Sequence, residues 1–96
     1  MVEIEHEESD GRGAFFIARE GVHLADMTYT RLGESAVIVD HTEVDPALKG
    51  MGVGRKLLDA LVAWARATQT KVTATCPYAS AQFAKDESIR DVLAAG

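Results

Sequence analysis

Scarcity narrows this chain before any motif does. A single cysteine, Cys76, stands among 96 residues, so an internal disulfide is excluded and a reducing, cytoplasmic setting is the expectation. Positive charge is short: ten Lys and Arg against 15 Asp and Glu leave a net charge of −5. That balance argues against a general nucleic-acid binder, because affinity for the phosphate backbone needs a basic face. Nothing approaches the roughly 20 apolar residues of a membrane helix, and the acidic opening MVEIEHEESD lacks the apolar stretch of a secretory signal. The expectation is a water-soluble chain with neither membrane nor nucleic acid as partner. His6, His23 and His41 fall at no spacing suited to a metal site, so no metal is expected. The length implies one domain, 1-96, since so short a chain cannot fill two cores.

Only two prolines occur, and each follows a strand-like stretch. Residues 2–8 alternate, with Val2, Ile4 and His6 on one face and Glu3, Glu5 and Glu7 on the other, which predicts a half-buried strand. The turn SDGRG follows. Residues 14–19 and 22–30 read as two further strands joined through Glu20-Gly21, and RLGE at 31–34 as another turn. Residues 35–44, SAVIVDHTEV, are β-branched and apolar at the start and polar at the end, as in a central strand leaving a core. Asp45-Pro46 ends it. From Gly52 to about Thr68 the period becomes helical, with Leu57, Leu58, Leu61, Val62 and Ala65 on one face. KVTATC at 71–76 is a short strand stopped by Pro77, and residues 78–94 suit a helix broken near Asp86. Trp64 and the pair Phe15-Phe16 are expected in the core. The order predicts an α+β fold: a mainly antiparallel N-terminal sheet, then a βαβ crossover from the fourth strand through the helix to the fifth strand. Ligands of such crossovers bind beyond the carboxyl ends of the strands, which gathers residues 42–54 and 76–78 around one crevice.

Glycines at 50, 52 and 54 open the helix of that crossover, in the stretch LKGMGVGRKL. A P-loop needs four residues between its glycines and then Gly-Lys-Ser/Thr, and a dinucleotide loop needs Gly-x-Gly-x-x-Gly after a first strand; neither fits. What remains is the physics those loops share: free backbone amides at a helix N-terminus, glycines that let an anion approach, and a dipole that favours negative charge. Lys49, Arg55 and Lys56 stand at the helix end where cations are disfavoured by about 0.3–1 kcal/mol each, which a bound anion would offset. A glycine-rich turn with solvated charges is the plainer alternative.

The run from Val44 through Pro46 and Leu48 to KGMGVGR at 49–55 resembles the acetyl-CoA pyrophosphate loop of the GNAT N-acetyltransferase superfamily. HTEV at 41–44, this loop, and TCPY at 75–78 followed by Phe83 and Lys85 are similar, more narrowly, to the minimal single-domain GNAT-like acetyltransferases. The resemblance covers about residues 36–93. It departs at Lys49, where the superfamily usually has Arg or Gln, and at Gln82, Phe83 and Ala84, where many members carry a tyrosine acid. It implies a minimal GNAT-like fold with acetyl-CoA or coenzyme A as co-substrate. The pyrophosphate would lie on Lys49, Gly50, Met51, Gly52, Val53, Gly54 and Arg55, and the pantetheine along Thr42, Glu43 and Val44. The Val44 amide would polarise the thioester carbonyl.

The same resemblance marks Cys76 as the leading chemical residue. A thiol there can accept the acetyl group, donate a proton to the departing CoA thiolate, or be a small buried hydrophobe. His41 is a candidate base, or a structural residue at a strand end; on neighbouring strands, His41 and Cys76 suggest a base-plus-thiol pair. Tyr78 either donates to the thiolate or begins the last helix. Glu43, alternating onto the side of Val39 and His41, either orients His41 or forms a cross-strand pair. The acidic residues Glu3, Glu5, Glu7, Glu8 and Asp10 attract a cationic amine or shield an edge strand. Three readings follow: acetyl transfer to a primary amine such as a Lys side chain or polyamine, a CoA-binding module with little turnover, or an interaction domain with a structural glycine loop. No feature speaks to oligomeric state.

Overall fold

A computed structural model describes residues 3–94. Five strands, β1 (Glu5–Ser9), β2 (Arg12–Arg19), β3 (Val22–Gly33), β4 (Ala36–Val44) and β5 (Lys71–Ala74), form one sheet in the order β1-β2-β3-β4-β5. The first four pair antiparallel and β5 joins β4 in parallel. Between β4 and β5 lie a 3-10 turn, Pro46–Leu48, and helix α1, Val53–Thr68; helix α2, Pro77–Lys85, and a 3-10 segment, Glu87–Val92, close the chain. This is the α+β sheet with a βαβ crossover that the sequence predicts.

Two tight turns set the antiparallel half. Asp10-Gly11 and Glu20-Gly21 each carry positive φ at both residues (53° and 79°, 50° and 79°), the hairpin geometry whose twist matches that of the strands it joins. The predicted helix face is the core face: Leu57, Leu58, Leu61, Val62 and Ala65 are all buried against Met27, Tyr29, Val37 and Val39 of the sheet. Each leucine so covered contributes about 1.5–3 kcal/mol relative to exposure. The other sheet face carries Asp26, Thr28, Thr30, His41 and Glu43, all half-buried or exposed.

Four expectations need correction. β1 is exposed along its whole length, not half-buried, because it is an edge strand whose contact with the core runs through the tips of His6 and Glu8; Val2 lies outside the described residues. β3 runs on through Arg31 to Gly33, and the turn falls at Glu34-Ser35. The extension holds because the Arg31 guanidinium is fixed by Glu8 (Nε to Oε2, 2.9 Å) and lies 5.5 Å from the Trp64 ring centroid. β5 stops at Ala74, since the amides of Thr75 and Cys76 both turn to the Val39 carbonyl (3.0 and 3.1 Å). Phe16 is buried, yet it lies outside the core cluster, under the stacked ring of His23 at 4.2 Å. The break near Asp86 is present: its backbone ends α2, and its side chain accepts from the Ser88 amide to begin the last turn.

One cluster of side chains is invisible in the sequence pattern. Tyr29, fully buried, donates its hydroxyl to Glu8 (2.6 Å), while His6 Nε2 lies 2.7 Å from the same oxygen. The ring passes directly over Gly13, where a Cβ would come within 2.7 Å of Cε2. These contacts pin the edge strand to α1 through Trp64, which stacks on Tyr29 at 5.2 Å.

Candidate active site

The early end of β5 creates the site. β4 pairs with β5 only from Ala36 to Val39, and residues 40–44 continue with their β5-side edge unpaired. A groove of about 320 Å³ occupies the gap, lined by Thr42 and Val44 of β4, by Leu48, Lys49 and Gly50, by residues 52–54, and by Tyr78. Asp45 donates its amide to Leu24 on the β3 side (2.7 Å); backbone amides alternate along a strand, so that of Val44 faces the groove.

The loop at the groove's floor is built stepwise. The Asp45 carboxylate accepts from the Ala47 amide (2.9 Å) and caps the 3-10 turn, whose Leu48 plugs into the core. Gly52 then takes φ 69°, a left-handed conformation that favours glycine, and directs the chain into α1 with no side-chain cap. Among the described residues, the amides of Gly50, Gly52, Val53, Gly54 and Arg55 have no hydrogen-bond acceptor. No acidic residue stands in the first turn of α1. Unpartnered amides and the positive end of the helix dipole thus converge on one wall of the groove, an arrangement suited to an anion.

The predicted cations divide. Lys49 and Lys56 are exposed and, among the described residues, form no ion pair. The Arg55 guanidinium is not free for a ligand. Its Nε bonds Asp59 (2.8 Å), Nη1 bonds Gln82 (3.0 Å) and Nη2 bonds Asp86, so it ties α1 to α2. Repulsion from the helix dipole is offset by these carboxylates, and what Arg55 leaves unpartnered is its amide. Met51 is 48 % exposed and does not line the groove; the Val53 side chain is in the core.

A bulge in β4 reorders the chemical residues. Thr28 pairs with His41 but Tyr29 pairs with Val39, so Asp40 is an extra residue. Burial pushes the Asp40 carboxyl up, but hydrogen bonds from Thr28 (2.6 Å) and Thr30 (2.9 Å), with the nearby Arg12 charge, outweigh it and hold the group below its ordinary value. Anchored there, Asp40 and His41 both face the open side, and the alternation restarts one residue late. His41 therefore points away from Val39, 60 % exposed, with Nε2 at 3.2 Å from Glu43. Thr42 and Val44 point to the core side. The expected His41–Cys76 pair is not formed; the thiol's neighbour is Thr42, whose Oγ1 lies 3.1 Å from Sγ. Cys76 is 3 % exposed and is the N-cap residue of α2. Tyr78 is half-buried in the first turn of α2, its ring against Gly54, and burial pushes its phenol up, so it stays protonated at neutral pH.

No group of three His, Cys, Asp or Glu suited to a metal occurs among the described residues, and none of the described helices is long and apolar enough to cross a membrane.

Solved structures share this architecture. A GCN5-like protein from Staphylococcus aureus is 34 % identical, with 96 % of this chain and 89 % of that one covered and a TM-score of 0.73. Ribosomal-protein-alanine N-acetyltransferase from Brucella melitensis biovar Abortus 2308 is 21 % identical over 93 % of this chain and 65 % of its own, with a TM-score of 0.61. A GNAT family acetyltransferase from Elizabethkingia anophelis, solved with acetyl-CoA bound, is 12 % identical over 77 % and 50 %, with a TM-score of 0.57. No curated protein matches. The fold is thus that of the N-acetyltransferases. A family model described as GCN5-related N-acetyl-transferase matches residues 14–92, and the chain belongs to that family of acyltransferases.

Proposed function

We propose that the chain transfers an acetyl group from acetyl-CoA to a primary amine, with the β4–β5 gap as the donor site. The observation that carries this reading is the unpaired edge of β4 leading onto the uncapped amides of α1. Amides 50 and 52–55, with Lys49 and Lys56 nearby, would hold the pyrophosphate. The edge of β4 at Thr42, Glu43 and Val44 would take the pantetheine, and the Val44 amide would donate to the thioester carbonyl as charge develops on it.

The acceptor is a cationic amine, a Lys side chain or a polyamine, approaching from the open face. There a polar groove of about 260 Å³ is lined by His23, Asp26, Glu43 and Asp45. His41, oriented by Glu43, takes one proton from the ammonium so that the neutral amine attacks, and the nitrogen's second proton passes to solvent as the amide forms. The new C–N bond forms as the thioester C–S bond breaks. The Cys76 thiol gives its proton to the departing sulfur and recovers one from solvent, with the Tyr78 hydroxyl as a further donor beside it.

Calorimetric titration with CoA and acetyl-CoA, followed by single-turnover assays with lysine-containing peptides and polyamines, tests the reading. Saturable binding and amine-dependent acetyl transfer are expected. Binding without turnover leaves a CoA-binding module, and no heat at millimolar ligand removes both.

A further inference from the structure

We infer that Thr42 is the positioning residue of the Cys76 thiol, holding the sulfur at the groove and stabilising it when it carries charge. The inference rests on the donor-site reading above and extends it to a side chain otherwise assigned only for its backbone. Thr42 Oγ1 lies 3.1 Å from Cys76 Sγ, and among the described residues neither atom has another hydrogen-bond partner. Thr42 also lines the groove, whereas Cys76 is 3 % exposed, so the hydroxyl borders both the thiol and the ligand space.

The fold goes out of its way to make this contact. Regular alternation from Val37 and Val39 would put His41 and Glu43 on the core side and turn Thr42 outward. The extra residue at Asp40, fixed by Thr28 and Thr30, reverses that order. The pair is thus set by two hydroxyls and one carboxylate in two strands.

The chemistry needs such a neighbour. After Cys76 gives its proton to the CoA sulfur, Sγ is a thiolate in a buried position, and a charge left there without a donor is costly. A thiolate accepts hydrogen bonds and cannot donate, so the Thr42 O–H must turn to donate to Sγ. A hydrogen bond to an ionised acceptor is about twice as strong as a neutral one, so the contact tightens as charge appears.

The chain's one cysteine makes the test direct. Alkylation by iodoacetamide at mildly alkaline pH, with thermal unfolding as a control for folding, needs neither CoA nor acceptor. Thr42→Val is expected to slow alkylation about fivefold to tenfold, and Thr42→Ser, which restores the hydroxyl, to stay within about twofold of the unaltered protein. In turnover assays Thr42→Val lowers kcat and leaves the KM for acetyl-CoA nearly unchanged, again with rescue by Ser. Alkylation of a folded Thr42→Val at the unaltered rate, or a Thr42→Ser as slow as Val, overturns the inference. Should Val disturb packing, Thr42→Ala against Thr42→Ser makes the same comparison. Failure of CoA to bind would instead remove the donor-site reading and leave the alkylation result standing.

Discussion

Arg55 and Asp86 join the two helices that flank the groove. One guanidinium on α1 holds Asp59 on its own helix, Gln82 on α2 and Asp86 just beyond it. The spacing of the loop amides from Tyr78 depends on that fork. Arg55→Met is expected to lower the unfolding temperature by several degrees and to weaken CoA binding together. Arg55→Lys keeps the charge but not the planar fork and falls between. Equal binding by all three proteins would show that the tether does not shape the groove.

Gly54 sits under Tyr78, and a Cβ there would lie 3.1 Å from Cζ and 3.3 Å from the hydroxyl. Gly54→Ala pushes the ring outward with little effect on folding, since Gly54 lies in the first turn of α1 and alanine is the better helix former. The expected result is weaker acetyl-CoA binding at an unchanged or higher unfolding temperature.

Gly13 has the opposite character. Tyr29 is fully buried and held by Glu8 and His6, so its ring cannot yield to an added methyl. Gly13→Ala is expected to cost about 1–3 kcal/mol of stability, read by denaturant unfolding, and to loosen β1 while leaving CoA affinity intact.

Acid should destabilise the fold in two stages. Burial, partly opposed by the charge of Glu8, holds the His6 imidazole below its ordinary 6.5. The folded chain then binds fewer protons than the unfolded one, so stability falls as pH drops from that value through the folded one. Arg31, then Tyr29, hold Glu8 below 4.5, and Ser88, then Arg55, bring Asp86 from 3.8 down to about 2. Their contribution is complete above the unfolded values and is lost as pH falls through the folded ones. Unfolding temperature against pH should therefore decline below neutrality and again in the carboxylate range, and His6→Gln should remove the first stage alone.

Cys76→Ala is expected to lower kcat about a hundredfold or more, as for a lost acid, with acetyl-CoA affinity retained and no acetylated protein by mass spectrometry in either form. Activity near that of the unaltered protein would deny the thiol a role. His41→Ala should reshape the pH–rate profile; an unchanged profile counts against it as base.

Most of the fold was legible because its signals are local. Gly-containing hairpin turns, the apolar face at Leu57, Leu58, Leu61 and Val62, and the prolines at 46 and 77 each act within a few residues. The groove's floor could be read for the same reason, since the glycines and the helix start are contiguous. What escaped is set across strands. The bulge at Asp40 depends on hydroxyls ten and twelve residues away, and DHTEV carries no glycine or proline to announce it, so simple alternation misplaced His41 and Glu43 and hid the Thr42–Cys76 contact. Arg55 was misread likewise: as a cation beside a helix N-terminus it suggested a bound anion, but its partner Asp86 lies 31 residues on. Gly13 gave no sign because its reason is a tyrosine ring from another strand.

The central claim is that the unpaired edge of β4 and the uncapped start of α1 form one donor site. The most direct measurement follows the backbone amide resonances of isotope-labelled protein during titration with CoA and acetyl-CoA. Saturable shifts are expected at Val44, Gly50 and residues 52–55, with β1 and β2 unmoved. No shift at millimolar ligand, or shifts confined to other parts of the sheet, would contradict it.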